Sequence, residues 1–121
     1  MKVVLIAFAG AAGAAARYGV GVAVGTRTFP WATLAINLGG SLVLGVLTKL
    51  AIDRAWTATT TLPLTVGFLG AFTTYSTFSV ETHTLLRDGH LGSAAAYVGA
   101  SVIGGVLAAA LGYAVAVAAG A

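Results

Sequence analysis

Apolar residues fill four long stretches of this 121-residue chain, and charged residues are concentrated where one stretch gives way to the next. The segments 28–48, 55–80 and 91–121 contain no charged side chain, and Arg17 is the only charge within 3–26. A helix needs about 20 predominantly apolar residues to cross the core of a bilayer. The pattern therefore predicts an all-α membrane protein, a single transmembrane domain over 1–121, with four spans at about 3–24, 32–50, 62–86 and 92–118.

The composition supports a multi-pass protein of a cell membrane, the inner membrane where there are two. Apolar residues make up 59% of the chain, against six Lys or Arg and three Asp or Glu. The mean hydropathy of +0.99 is far from that of soluble domains, so the lipid bilayer is the main surrounding medium. The chain contains no Cys, which excludes disulfides and thiol chemistry.

The positive charges are divided almost evenly between the two sides of the predicted bundle. One side carries Lys2, Lys49 and Arg54, and the other carries Arg27 and Arg87, with Arg17 about two turns inside its helix. Because an excess of Lys and Arg sets orientation, this chain is expected to insert both ways up and to pair as an antiparallel, dual-topology dimer. The alternative is that one extra charge, or the lipid, selects a single orientation.

Polar side chains form two stripes, each with a spacing of four residues. Thr33, Asn37 and Ser41 share a face of the second helix, and Ser93, Tyr97 and Ser101 share a face of the fourth. Hydroxyls can bond to their own helix, but an amide at mid-membrane cannot satisfy all its groups there. Asn37 therefore indicates either a hydrogen bond to another helix or a polar pathway.

The third span is predicted to be broken. Pro63 suits a first helical turn, and Gly67 and Gly70 lead into Thr73–Ser79, where six of seven residues carry hydroxyls and favour unwinding. An unwound turn exposes carbonyls to a cation and N–H groups to an anion, and two antiparallel copies would bring their carbonyls together around one cation. A continuous but polar helix is the alternative.

Aromatic rings follow the predicted break at Tyr75 and Phe78. Their edges carry partial positive charge and can contact a dehydrated anion, although the rings can equally pack against each other. Arg17 either attracts anions at the interface or extends outward without a role. Glu81 is expected to cap a helix or pair across helices, and His83 and His90 make a weak case for a metal site.

These segments carry a family resemblance. The motifs are GAAGAAARY at 10–18, TLAINLGGS at 33–41, and GFLGAFTTYSTFS at 67–79 followed by Glu81. In order and spacing, the set closely resembles the Fluc (CrcB) fluoride channels, and it covers most of a chain of the expected length. The fourth span carries no comparably sharp motif.

The resemblance implies a fluoride-selective channel that exports fluoride passively, as an antiparallel homodimer with two pores and one central sodium ion. It implies the following roles: backbone carbonyls of Gly70 and Thr73 bind sodium; Asn37 is the pore amide; Tyr75 and Phe78 form the aromatic box; Thr33 and Ser101 add polar lining; and Arg17 lies in a vestibule. The family usually has Phe where Tyr75 stands. The added hydroxyl either donates to fluoride or reorients the ring.

Other functions fit the sequence less well. A small multidrug-type proton-coupled exporter is the main alternative, but it needs a carboxylate in mid-helix. The only acids are Asp53, Glu81 and Asp88, and none of them is central in the first helix. A non-transporting assembly subunit leaves Asn37 unexplained. An enzyme is not expected, because no nucleophile, base and orienting group occur at usable spacing. Nothing in the sequence indicates a nucleic-acid partner.

Overall fold

The structure is a computed structural model that describes residues 1–120, and this range is helical with no strand. The elements are α1 (Lys2–Val24), α2 (Trp31–Asp53), α3 (Ala58–Leu62), a π-helix (Pro63–Leu69), α4 (Gly70–Phe72), α5 (Tyr75–Arg87) and α6 (Leu91–Ala118). Helices α1, α2 and α6 are each long and apolar enough to cross a membrane. The all-α prediction is confirmed, and these three helices match the first, second and fourth predicted spans.

The third predicted span is divided into short helical pieces. Thr73 and Thr74 are extended between α4 and α5, with ψ values of 158° and 121°. The break is narrower than the hydroxyl-rich run suggests, because the helix restarts at Tyr75. The reason is a helix cap: the Thr74 hydroxyl oxygen accepts a hydrogen bond from the Thr77 backbone N–H at 3.3 Å.

The most extensive packing interface is between α2 and α6, where the two backbones touch at glycines. A Cβ atom at Gly112 would lie inside the contact radius of the Leu42 carbonyl oxygen, and one at Gly45 would overlap the Ala109 carbonyl oxygen. Such small-residue contacts replace the hydrophobic driving force that helices lack in lipid. Gly21 makes no such contact within this chain, because a Cβ atom there would meet nothing within 4 Å.

Replacing Gly112 with alanine is expected to push α2 and α6 apart and to lower the free energy of unfolding by about 1–3 kcal/mol. The matched control is Gly92→Ala on the same helix, where a new Cβ meets nothing within 4 Å. The fraction of detergent-solubilised protein that stays monodisperse after heating measures the effect. Equal loss in both variants would contradict the proposed packing.

Candidate functional site

One cavity collects most of the side chains that the sequence singles out. It has a volume of about 370 Å³ and is called here the Asn37 cavity. Six predicted site residues line it: Asn37, Gly70, Thr73, Tyr75, Phe78 and Ser101. The rest of its lining is Gly40, Ser41, Leu44, Thr65, Leu69, Thr74 and Val102. The cavity therefore lies where the break in the third span faces α2 and α6.

Asn37 holds the break in place through two hydrogen bonds to one residue. Its Nδ2 donates to the Thr74 carbonyl oxygen at 2.9 Å, and its Oδ1 accepts from the Thr74 backbone N–H at 2.8 Å. The amide thus satisfies both backbone groups of an extended residue that has left the helical ladder. One of the two Nδ2 hydrogens remains for another acceptor.

The break also deprives the carbonyls of residues 70–73 of their usual helical donors. In a continuous α-helix, the Thr74 and Thr77 N–H groups would donate to the carbonyl oxygens of Gly70 and Thr73. Here the Thr74 N–H donates to Asn37, and the Thr77 N–H donates to the Thr74 hydroxyl. Gly70 is exposed on the surface of the chain. Gly70 and Thr73, which the resemblance assigns to sodium, are two of the residues with displaced carbonyls.

The remaining lining combines a hydroxyl with aromatic rings. The Ser101 Oγ atom is buried and has no hydrogen-bond partner in residues 1–120. The Tyr75 and Phe78 rings lie 5.8 Å apart between centroids at an interplanar angle of 45°. Phe78 is half-buried, whereas Tyr75 is 79% exposed. The cavity is thus open on the side where Tyr75 projects.

Thr33 does not line the Asn37 cavity but belongs to a second polar cluster. The Thr33 hydroxyl donates to Oε1 of Glu81 at 2.9 Å, and the Tyr97 hydroxyl donates to Oε2 at 2.6 Å. Thr33 and Tyr97 are both buried. Sequence reasoning did not join these residues, although an isolated carboxylate within a span, opposite two polar stripes, is a signal that points to such a cluster.

Arg17 also lies away from the Asn37 cavity. It is half-buried on α1, and no carboxylate lies within 4.0 Å of its side chain in residues 1–120. Its assignment to a vestibule stays a prediction, as does the assignment of Thr33 to the pore lining.

Comparison with known proteins identifies the family of this chain. Residues 4–113 match the family model described as "CrcB-like protein, Camphor Resistance (CrcB)". The chain is 48% identical to the fluoride-specific ion channel FluC 1 of Symbiobacterium thermophilum, over 94% of this chain and 96% of that protein.

Other relatives are similar over nearly their whole length. The chain is 41% identical to the fluoride-specific ion channel FluC of a Thermus thermophilus strain, over 93% of this chain and 91% of the relative. It is 42% identical to the fluoride-specific ion channel FluC 2 of Geobacillus kaustophilus, over 96% of this chain and 93% of the relative. With three helices long enough to span a bilayer, the chain is a multi-pass membrane protein, and it belongs to the CrcB family.

Proposed function

We propose that this chain is a fluoride-specific ion channel that lets fluoride leave the cytoplasm passively, lowering its concentration and toxicity. The observation that carries the proposal is the Asn37 cavity, where an amide N–H, an unpartnered Ser101 hydroxyl and two aromatic rings surround one space. Relatives along almost the whole chain are named fluoride-specific ion channels. The protein is a channel and not an enzyme.

The lining suits a small, strongly hydrated anion. Fluoride that enters a narrow pore loses water and needs several hydrogen-bond donors or positive ring edges in its place. Binding must also stay weak enough for the ion to leave. No charged residue lines the Asn37 cavity in residues 1–120, so the cavity offers donors without a fixed positive charge.

We infer that two copies pair antiparallel, with the broken segment as a fourth crossing in each. An exposed carbonyl without a donor cannot face lipid, where each unsatisfied group costs several kcal/mol. Gly70 is exposed at the break, and Tyr75 projects from the same region. A second copy placed over this surface removes both from lipid and closes the open side of the Asn37 cavity.

We propose that a sodium ion lies between two such copies. The Gly70 and Thr73 carbonyls are among the displaced acceptors described above, and two chains would supply four such carbonyls. Backbone carbonyl oxygens are suitable ligands for alkali cations. The ion would supply positive charge that neutralises these dipoles and links the two breaks, which is a structural role.

Tyr75 is one position at which this chain differs from the usual family pattern. We propose that its ring edge contacts the anion as a Phe edge does, and that its hydroxyl adds one donor at the open side of the Asn37 cavity. A proton-coupled exporter is less well supported. Glu81, the only acid within the four predicted spans, lies outside this cavity with both oxygens hydrogen-bonded.

Purified protein in liposomes tests the function. Vesicles loaded with potassium fluoride, with valinomycin to carry the counter-ion, are expected to release fluoride to an external electrode, whereas vesicles loaded with chloride retain it. Protein-free vesicles give the background. A correctly folded, monodisperse protein without fluoride efflux above this background would refute the channel.

A further inference from the structure

A second cavity lies beneath the loop that connects α1 and α2. Its volume is about 330 Å³, and it is called here the loop cavity. Arg27, Thr28 and Trp31 line it from the loop and the start of α2, and Glu81 and Thr84 line it from α5. It shares no lining residue with the Asn37 cavity.

A row of aromatic rings connects the two cavities. Phe78 of the Asn37 cavity lies 5.2 Å from Tyr97, and Tyr97 lies 5.7 Å from Phe29 of the loop cavity, between ring centroids. Phe29 in turn lies 4.5 Å from Trp31. Tyr97 is completely buried between its neighbours. A single ring therefore separates the two cavities along this row.

The loop cavity is lined by one positively charged side chain, Arg27, at its exposed rim and by one carboxylate, Glu81, deeper inside. Arg27 is exposed, its Nε donates to the Val24 carbonyl oxygen at 3.5 Å, and no carboxylate lies within 4.0 Å of it in residues 1–120. Glu81 is half-buried, and its oxygens already accept from Thr33 and Tyr97. The guanidinium NH₂ groups of Arg27 are thus the free charged donors in the lining of the loop cavity.

We propose that the loop cavity is a second small-anion site, in which Arg27 holds the ion at the rim before it enters or after it leaves the pore. The inference rests on the proposed channel function. An anion lies near the guanidinium and away from the Glu81 carboxylate, which repels it. The rim is exposed, so attraction there is screened by salt and the site concentrates ions without trapping them.

Tryptophan fluorescence reports on this site because Trp31 lines the cavity. The chain has two tryptophans, so Trp56→Phe leaves Trp31 as the sole reporter. In detergent at low ionic strength, iodide is expected to quench Trp31 with a saturating curve that fluoride competes away. Arg27→Gln is expected to reduce the quenching slope at least about twofold through loss of the local charge.

Three controls separate site binding from a change in exposure. Arg27→Lys keeps the charge and is expected to keep most of the quenching. Arg54→Gln removes an exposed arginine that does not line the loop cavity, and it is expected to have no effect. Quenching by neutral acrylamide should be equal in all variants. Linear iodide quenching that Arg27→Gln leaves unchanged would overturn the proposal.

A flux measurement distinguishes this inference from the channel itself. At low salt and subsaturating fluoride, Arg27→Gln is expected to slow efflux about two- to fivefold, and the difference should vanish at high salt. If wild-type protein conducts and Arg27→Gln conducts equally well at low salt, the second site is refuted and the channel stands. If wild-type protein does not conduct, the channel itself is refuted.

Discussion

Replacing Asn37 with alanine is expected to lower fluoride efflux about 100-fold or more, which corresponds to roughly 3 kcal/mol in the barrier. The variant loses the one residue that bonds both backbone groups of Thr74. Each buried group left without a partner costs about 1–3 kcal/mol, so the broken segment loses its extended conformation. Efflux from liposomes and thermal stability in detergent measure the two consequences.

Asn37→Asp keeps the prediction testable if the alanine variant does not fold. An aspartate still accepts from the Thr74 N–H, but its ionised form cannot donate to the Thr74 carbonyl or to an anion. We expect it to assemble and to conduct slowly. Thr48→Val is the matched control on α2, because the Thr48 hydroxyl bonds only to the Leu44 carbonyl of its own helix. Wild-type flux in both Asn37 variants would contradict this role.

Forcing the chain into one orientation is expected to lower fluoride efflux at least about tenfold. The α1–α2 and α5–α6 side carries Arg17, Arg27 and Arg87, and the opposite side carries Lys2, Lys49 and Arg54. Ion pairing leaves this balance intact, because Lys49 bonds Asp53 at 2.6 Å and Arg87 bonds Asp88 at 2.9 Å. The Arg87 guanidinium lowers the pKa of Asp88, so that carboxyl stays ionised at neutral pH.

Two double variants shift the balance in opposite directions. Thr57→Lys with Thr60→Lys adds charge on one side, and Asp88→Lys with His90→Lys adds charge on the other; all four positions are exposed. Each variant alone is expected to insert one way up and to conduct at least about tenfold less, since positive charge in short loops sets orientation. Co-expression of the two should restore efflux.

Orientation can be read directly because the chain contains no cysteine. An Ala119→Cys substitution supplies a single thiol at the end of α6, which a membrane-impermeant maleimide labels from outside. Half-labelling is expected in the otherwise wild-type protein, and nearly complete or absent labelling in the biased variants. A biased variant with uniform orientation and undiminished efflux on its own would refute the antiparallel pair.

The hydrophobic pattern by itself determined the helical architecture. Burying a charged group in lipid is costly at any position in the chain, so a segment that crosses the bilayer must be nearly free of charge. The lengths of the charge-free stretches therefore predict the spans. The break in the third span was also readable, since Gly and hydroxyl residues weaken a helix locally. The end of the break at Tyr75 depended on a cap by the Thr74 side chain, whose partner lies three residues away.

Only the tertiary structure decided which polar groups meet. Asn37 and Thr74 are 37 residues apart, and Thr33 and Glu81 are 48 apart, so periodicity within one helix could not pair them. The sequence left Asn37 open between a bond to another helix and a polar pathway. The fold shows that Asn37 bonds to the broken third span through Thr74. Because the amide has two N–H donors and uses one of them in this bond, the other remains for the proposed pathway.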